Sequence, residues 1–307
     1  MLRRATELAN GKKLLRWFSI GFILILCCPA AAEEVTHRFN GLTLNANLEM
    51  AGGKSFSDGV VLILHGFMAH NKMEVIRTSQ QALLDNDYSS LAINLSLSVD
   101  NRHGYYGCDQ PQRHVQDDAI GEIGSWIAWL RERGTKRVIL LGHSRGANQF
   151  MVYAAEKIDP EVSHMIFLAP GMGDEAEQAY FTRYGVSLDK TRTYVQAQIN
   201  DGRGDQLLSD IDMLACPRAT VTADSFNSYY SRDNRFRRFE HYLPRSPVPT
   251  LIISGSIDER QPNTQKLVTP YLDGMRIQLA VIEGAGHFFR DFNIEEAMEA
   301  AIEFIDE

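Results

Sequence analysis

The amino-acid sequence predicts an α/β fold built on a mainly parallel, doubly wound sheet. Short apolar runs typical of buried strands recur along the chain, and helical patterns separate most of them. Strands that alternate with helices pair in parallel, because each crossover helix returns the chain to the same end of the sheet. The 307 residues, 44% of them hydrophobic, suffice for the core of one domain or at most two.

Six strand-like runs are the predicted strands of this sheet. They are residues 60–64, 89–95, 137–141, 164–168, 250–254 and 276–282. Alternating apolar and polar residues over 42–48 indicate a further strand before them. The patterns over 120–130 and 147–155 each place apolar side chains on one helix face. A similar pattern over 294–305 predicts a last helix that docks on the sheet.

The segment after the third of these runs carries the strongest chemical signal. Residues 142–146 read Gly-His-Ser-Arg-Gly between a strand and a helix, which is the setting of a nucleophile elbow. Such a turn exposes the serine hydroxyl, and the small residues Gly142 and Gly146 prevent clashes around the bend. Gly-Ser-Gly spacings also arise in ordinary turns. Ser144 is therefore a candidate nucleophile only if the chain also supplies its partners.

Two later side chains complete a predicted triad. Asp258 follows the fifth run, and His287 follows the sixth run and a Glu-Gly-Ala-Gly turn. Both lie at the carboxyl ends of predicted strands, where open α/β sheets form their crevice. In this mechanism Ser144 attacks an acyl carbon, His287 transfers the proton, and Asp258 orients the imidazole. Each residue alone has an ordinary structural explanation, as a turn residue, loop cap or core histidine, so the prediction depends on their joint placement and order.

The first run is followed by His65-Gly66-Phe67, which predicts the second half of an oxyanion site. An oxyanion needs backbone N–H donors aimed at the developing charge. We expect these donors to be the N–H groups of Phe67 and of Arg145, the residue after the nucleophile. His65 and Gly66 would support the turn, although His65 is also explained as a satisfied polar group at a strand end.

The order of nucleophile, acid and base is that of the α/β-hydrolase superfamily. With Ser144, Asp258 and His287 in this order, the sequence resembles the serine hydrolases of that superfamily. It is most similar to the group that includes monoacylglycerol-lipase-like and serine-aminopeptidase-like enzymes. The resemblance extends from about Val35 to the end of the chain. It implies the α/β-hydrolase fold with a helical cap inserted at about residues 171–249, a polar, arginine-rich stretch.

Two segments near the expected site have alternative interpretations. The predicted cap carries six aromatic side chains that either line an acyl pocket or form the core of the cap: Tyr180, Phe181, Tyr194, Phe226, Tyr229 and Tyr230. The polar loop 100–104, after the second run, either lines the mouth of the site or is an ordinary solvated loop.

The expected function is hydrolysis of a small carboxylic ester through an acyl-enzyme, with a small-molecule acyl substrate. Aminopeptidase-type amide hydrolysis and acyl transfer use the same residues and stay open. An acidic site for a free amine, from Glu177, Asp205 or Asp224, would favour the peptidase. A non-catalytic binding protein would be expected to lack a triad member. The sequence has no spacing typical of nucleotide or catalytic metal sites, so no cofactor and no metal are expected.

Residues 1–32 predict a signal peptide that precedes a hydrolase domain over 33–307. Three basic residues precede the apolar run 17–28 and a Pro-Ala-Ala-Ala site, so we expect cleavage after Ala32. The apolar run is shorter than the roughly 20 residues needed to span a bilayer, so membrane attachment would require an uncleaved signal segment. The expected location is periplasmic or secreted.

Charge and cysteine content bear on partners and compartment. The chain carries a net charge of −8, and residues 1–32 contain five basic and one acidic side chain, so about −12 remains after cleavage. Such an acidic body argues against nucleic acid as a partner. Cys108 and Cys216 are the two cysteines left, and an exported pair of this kind is either bridged or present as two free thiols.

Overall fold

The computed structural model describes residues 32–173 and 176–307. The predicted signal segment, apart from Ala32, lies outside the described residues. The strands of the described chain are β1 (Glu33–Phe39), β2 (Leu42–Glu49), β3 (Val60–Leu64), β4 (Ser90–Asn94), β5 (Val138–His143), β6 (Val162–Leu168), β7 (Leu207–Met213), β8 (Cys216–Thr222), β9 (Thr250–Gly255) and β10 (Ile277–Ile282). The α-helices are α1 (Glu74–Asp85), α2 (Asp118–Glu132), α3 (Arg145–Lys157), α4 (Ala176–Tyr184), α5 (Leu188–Asn200), α6 (Ala223–Tyr230), α7 (Thr264–Val268) and α8 (Asn293–Asp306).

Eight strands form the main sheet, in the order β1-β2-β4-β3-β5-β6-β9-β10. The first two are antiparallel to their neighbours, and the remaining strands pair in parallel. The predicted α/β fold with a mainly parallel sheet is confirmed. All six predicted runs are strands of this sheet, and the alternating stretch 42–48 belongs to β2.

Helices cover both faces of the sheet. The strands between them contribute side chains to two hydrophobic cores, as β3 illustrates. Its alternate residues point to opposite faces, so Leu62 packs in one hydrophobic cluster and Ile63 in the other. The first cluster includes Trp126 of α2 and Phe150 of α3, and the second includes Met298 of α8. A strand buried on both faces needs an unbroken apolar run, which explains why these strands were recognisable in the sequence.

The stretch between β6 and β9 lies outside the main sheet. It contains α4, α5, α6 and the antiparallel pair β7–β8. The sequence analysis expected only helices here, so the hairpin is an addition. Its pairing is irregular, with register shifts after Leu208 and Ile211, and its residues alternate only loosely between buried and exposed. That irregularity removes the period-two pattern by which a strand is recognised.

A disulfide joins Cys108 to Cys216 and thereby ties the loop before α2 to β8. Of the two alternatives for this pair, the bridged form is present. Backbone hydrogen bonds continue the contact: Gln112 donates to the carbonyl of Thr220 at 2.8 Å and accepts from the N–H of Thr222 at 2.9 Å. The hairpin is therefore anchored to the body of the protein by a covalent link and by strand-like pairing. No helix within 32–173 or 176–307 is both long and apolar enough to cross a bilayer.

Candidate active site

Ser144 lies at the tight turn between β5 and α3. Its backbone angles are φ 53° and ψ −123°, a strained conformation for a residue with a side chain. The turn is also tightly packed. A Cβ on Gly142 would lie 2.6 Å from the backbone of Ala147, and a Cβ on Gly146 would lie 2.5 Å from the carbonyl oxygen of His65. Only glycine fits at both positions, as the elbow interpretation requires.

The structure brings Ser144, His287 and Asp258 together in one hydrogen-bonded relay. Nε2 of His287 lies 3.0 Å from Oγ of Ser144, and Nδ1 of His287 lies 2.9 Å from Oδ2 of Asp258. The ionised carboxylate can only accept, so Nδ1 carries the proton and Nε2 is free to accept from the serine hydroxyl. Both His287 and Asp258 are buried, while Ser144 is partly exposed.

Asp258 is held in its ionised form. Burial alone would raise its pKa, but the hydrogen bond from His287 and two backbone N–H donors outweigh burial and lower the pKa below its usual range. The two donors are the N–H groups of Arg260 and Gln261, at 2.8 and 3.0 Å from Oδ1. A carboxylate fixed in this way can stabilise a protonated imidazole beside it.

Phe67 and Arg145, the residues predicted to supply the oxyanion donors, line the same cavity as Ser144 and His287. Phe67 follows β3, and Arg145 is the first residue of α3, where the N–H groups have no partner within the helix. Within the described chain, the backbone N–H of neither residue donates a hydrogen bond. Both N–H groups are thus available to an anionic oxygen, and the positive end of the α3 dipole favours it.

His65 shapes the turn that presents Phe67. Its Nδ1 lies 2.7 Å from the carbonyl oxygen of Gly66, so Nδ1 donates and Nε2 accepts. Leu95 N–H and the Arg102 guanidinium supply protons to Nε2, each at 3.2 Å. Burial, aided by the charge of Arg102, lowers the pKa of His65 to about 3, so the ring is neutral. His65 thus joins the Gly66 carbonyl to the loop after β4.

Sequence reasoning missed the role of Arg102. Its side chain is buried and donates to the carbonyl oxygens of Leu95, Gly104 and Ala69 and to the side chain of Asn94. It therefore fixes the loop after β4 beneath the candidate site. No residue of 100–104 is among the described residues that line the cavity, so the interpretation of this loop as the mouth of the site is wrong. Nothing in its polar sequence context marks Arg102 as buried.

A cavity of about 360 Å³ opens in front of the relay. Its described lining includes six aromatic side chains: Phe67, Tyr180, Tyr184, Tyr229, Tyr230 and Phe236. Four arginines also line it: Arg145, Arg183, Arg237 and Arg260. Of the aromatic residues that the sequence analysis singled out in the insertion, three line the cavity. Phe226 is buried in the core, while Phe181 and Tyr194 are exposed.

Asn148 connects the nucleophile helix to both ends of the insertion. Its amide nitrogen donates to the carbonyl oxygens of Gly171 (2.8 Å) and Phe236 (2.7 Å), and its amide oxygen accepts from the N–H of Gly171 at 2.8 Å.

The three carboxylates considered as a binding site for a free amine, Glu177, Asp205 and Asp224, are absent from the described lining of the cavity. Among residues 32–173 and 176–307 there is also no cluster of three metal-ligating side chains.

Residues 60–303 match the alpha/beta hydrolase family, and the chain belongs to this family. A search of curated proteins gave no significant match. Among solved structures, Est1E from Butyrivibrio proteoclasticus is similar, with 19% identity, a TM-score of 0.64, and coverage of 90% of this chain and 100% of that chain. A monoacylglycerol lipase from Paleococcus ferrophilus has 14% identity, a TM-score of 0.56, and coverage of 85% and 98%. The alpha/beta hydrolase GrgF from Penicillium sp. sh18 has 15% identity, a TM-score of 0.64, and coverage of 90% and 98%.

Proposed function

We propose that the protein is an exported serine hydrolase that cleaves a carboxylic ester through an acyl-enzyme. One observation carries the proposal: Ser144, His287 and Asp258 are joined by contacts of 3.0 and 2.9 Å, beside a cavity that is also lined by Phe67 and Arg145, whose backbone N–H groups donate to no described acceptor. Acyl transfer requires a nucleophile, a base, an acid that orients the base, and oxyanion donors, and these residues can supply all four.

The proposed reaction has two halves. Oγ of Ser144 attacks the acyl carbon while Nε2 of His287 accepts the hydroxyl proton, and the N–H groups of Phe67 and Arg145 bind the oxyanion. The protonated imidazole, stabilised by Asp258, gives its proton to the leaving alcohol as the C–O bond breaks. Water then loses a proton to His287 and attacks the acyl-enzyme, which releases the acid and restores the serine.

Esters are favoured over peptides by the composition of the cavity. An aminopeptidase needs a carboxylate to bind the free amine of its substrate, and the described lining contains four arginines and no Asp or Glu. The family includes enzymes that act on esters, such as the monoacylglycerol lipase reported above. Acyl transfer to an alcohol would use the same acyl-enzyme. It differs from hydrolysis in that an alcohol, instead of water, is consumed as the acyl acceptor.

Export and a cap belong to the same proposal. Export is supported by the signal-like sequence of residues 1–32 and by the Cys108–Cys216 bridge, because disulfides persist in oxidising compartments. A covering role for 171–249 is supported by Tyr180 and Tyr229, which lie in this insertion and line the cavity. Periplasmic or secreted protein recovered with Glu33 as its first residue is the expected outcome of N-terminal sequencing.

A paired substrate panel tests the reaction. Purified protein beginning at Glu33 is assayed with p-nitrophenyl esters of increasing acyl length and with aminoacyl p-nitroanilides, beside Ser144→Ala. We expect ester turnover that falls by about 10⁴-fold or more in the variant, since the nucleophile is lost. Turnover of anilides alone would favour the peptidase. Absence of turnover by folded wild-type protein would favour a binding protein.

A further inference from the structure

Within residues 32–173 and 176–307, the side chain of Arg145 is a cation of the cavity that has no anionic partner. It is partly buried, and its Nε is fully enclosed with no hydrogen-bond acceptor. One Nη atom of its guanidinium donates to Oε1 of Gln116, a neutral acceptor, at 2.5 Å. No carboxylate of the described chain lies within 4 Å of it. A guanidinium in this position has unused donors.

The surroundings of Arg145 are apolar on two sides. The guanidinium carbon lies 5.1 Å from the ring centre of Tyr229 and 5.7 Å from that of Phe67. Ring faces offset only a small part of the hydration that a buried cation loses. Burial lowers the pKa of Arg145, which is the sign of a charge that lacks compensation.

A second arginine that lines the cavity, Arg183, is exposed at the surface of α4. Arg183 donates to the carbonyl oxygen of Leu214 at 2.6 Å, and no salt bridge to a described carboxylate accompanies it. The described lining of the cavity also includes Arg237 and Arg260, and Arg260 lies 3.8 Å from a carboxylate oxygen of Glu259. The inference therefore rests on Arg145.

We propose that the ester substrate carries an anionic group, such as a carboxylate, and that the guanidinium of Arg145 binds it beside the scissile bond. The inference rests on the proposed function, because it places the anion in the same cavity as Ser144 and His287. A planar guanidinium with unused donors matches a carboxylate, which can accept two parallel N–H bonds. Water leaves the cavity as substrate enters, which strengthens this pairing.

Matched ester pairs test the proposal, with release of the phenol as the readout. An anion on the acyl side is tested by p-nitrophenyl hydrogen adipate against p-nitrophenyl methyl adipate. An anion on the alcohol side is tested by 4-carboxyphenyl butanoate against 4-carbamoylphenyl butanoate. For at least one pair we expect the anionic ester to have a kcat/KM about 10- to 100-fold above its neutral partner. Equal values in both pairs would overturn the proposal while leaving the hydrolase function intact.

Variants assign the preference to Arg145. Arg145→Met keeps the length of the side chain and the backbone N–H, and we expect the ratio of kcat/KM for the anionic ester to that for its neutral partner to fall to near 1. Arg145→Lys should retain part of the preference. Arg232→Gln is the matched control, because Arg232 is exposed, pairs with Asp189 and does not line the cavity. Its preference should equal that of the wild type.

A purely structural role for Arg145 has a different outcome. If Arg145 served only to hold Gln116, Arg145→Met would lower the melting temperature and reduce all four esters equally. Under our proposal the variant unfolds at the same or a higher temperature, because an uncompensated charge is removed. A lower melting temperature together with lower activity on the neutral esters, while the preference for the anionic ester is unchanged, would overturn the proposal.

Binding to Ser144→Ala separates this inference from the proposed reaction. Calorimetric titration of that variant with p-nitrophenyl hydrogen adipate and with its methyl ester needs no turnover. We expect tighter binding of the anionic compound, and loss of the difference in Ser144→Ala/Arg145→Met. Equal binding would refute the anion site even if hydrolysis were observed. Anion-selective binding without any turnover by the wild type would support the site and reject the hydrolase proposal.

Discussion

Nε2 of His143 lies 2.9 Å from the carbonyl oxygen of His287, and this contact joins the elbow turn to the loop of the candidate base. The carbonyl can only accept, so Nε2 carries the proton and Nδ1 is left unprotonated, buried and without a partner. Burial and the neighbouring His287 lower the pKa of His143 to about 4, so the ring is neutral. His143 therefore holds the loop that carries His287, the candidate base.

Removing this contact is expected to slow the reaction more than it weakens substrate binding. His143→Phe keeps an aromatic ring against Phe288, 5.7 Å away, but cannot donate to His287. A small displacement of the base is costly in acyl transfer, so we expect kcat to fall by about 10- to 100-fold with KM little changed. His143→Gln, which retains an N–H donor, should recover part of the loss. A kcat for His143→Phe equal to that of the wild type would show that the contact is dispensable.

Close packing at the elbow predicts a stability difference between two glycines. A Cβ at Gly146 would meet backbone carbonyl oxygens at 2.5 and 2.6 Å, whereas one at Gly52 meets nothing within 4 Å. We expect Gly146→Ala to reduce the free energy of unfolding by about 1–3 kcal/mol, because backbone must move to admit the methyl group. Gly52→Ala is the control and should be within about 0.5 kcal/mol of wild type. Equal stability of the two variants in urea denaturation would contradict this account.

The buried carboxyl group of Glu122 predicts a pH dependence of stability. Its oxygens accept from the N–H and hydroxyl of Ser96 at 2.8 and 2.5 Å. Burial nevertheless raises the pKa of Glu122 to about 7. The stabilising contribution is therefore fully present below the unfolded value near 4.5 and is lost as the pH rises through about 7, a total of roughly 3 kcal/mol.

Glu122→Gln isolates this contribution from those of the other titrating groups. Its amide oxygen can accept from the Ser96 N–H and its amide nitrogen can donate to the Ser96 hydroxyl. The difference in unfolding free energy between wild type and Glu122→Gln should change between pH 4.5 and 8, with the wild type losing stability relative to the variant. A difference that is constant over this range would exclude a raised pKa at Glu122.

The Cys108–Cys216 bridge closes a loop of 108 residues, so its loss should be costly. Constraining a chain segment of this length in the unfolded state is worth about 3–5 kcal/mol in the entropy model. We expect the double Ser variant to lose about that much stability, and thiol titration of unfolded, unreduced protein beginning at Glu33 to find no free thiol. Two titratable thiols would show that the bridge does not form. Because the bridge holds β8 to the body, reduced protein should also hydrolyse esters more slowly.

The parts of this molecule that sequence reasoning predicted are those set by strong local rules. A strand buried on both faces is largely apolar, as at 60–64 and 250–254, and an elbow has glycine two residues before and two residues after its serine. The β7–β8 hairpin was missed because its irregular pairing leaves no alternating pattern. Arg102 and the side chain of Arg145 were missed because burial of a single polar residue depends on tertiary contacts alone. The position of Arg145 after Ser144 predicted its backbone N–H as a donor but predicted no role for its guanidinium.

Labelling of Ser144 by a fluorophosphonate probe tests the central claim most directly. Protein beginning at Glu33 is incubated with the probe, and the adduct is located by peptide mass spectrometry in wild type, Ser144→Ala and His287→Gln. The account predicts one adduct on Ser144, no adduct in Ser144→Ala, and labelling of His287→Gln slowed by about 10³-fold or more, since the base is absent. A folded wild-type protein that stays unlabelled, or an adduct on another residue that persists in Ser144→Ala, would contradict it.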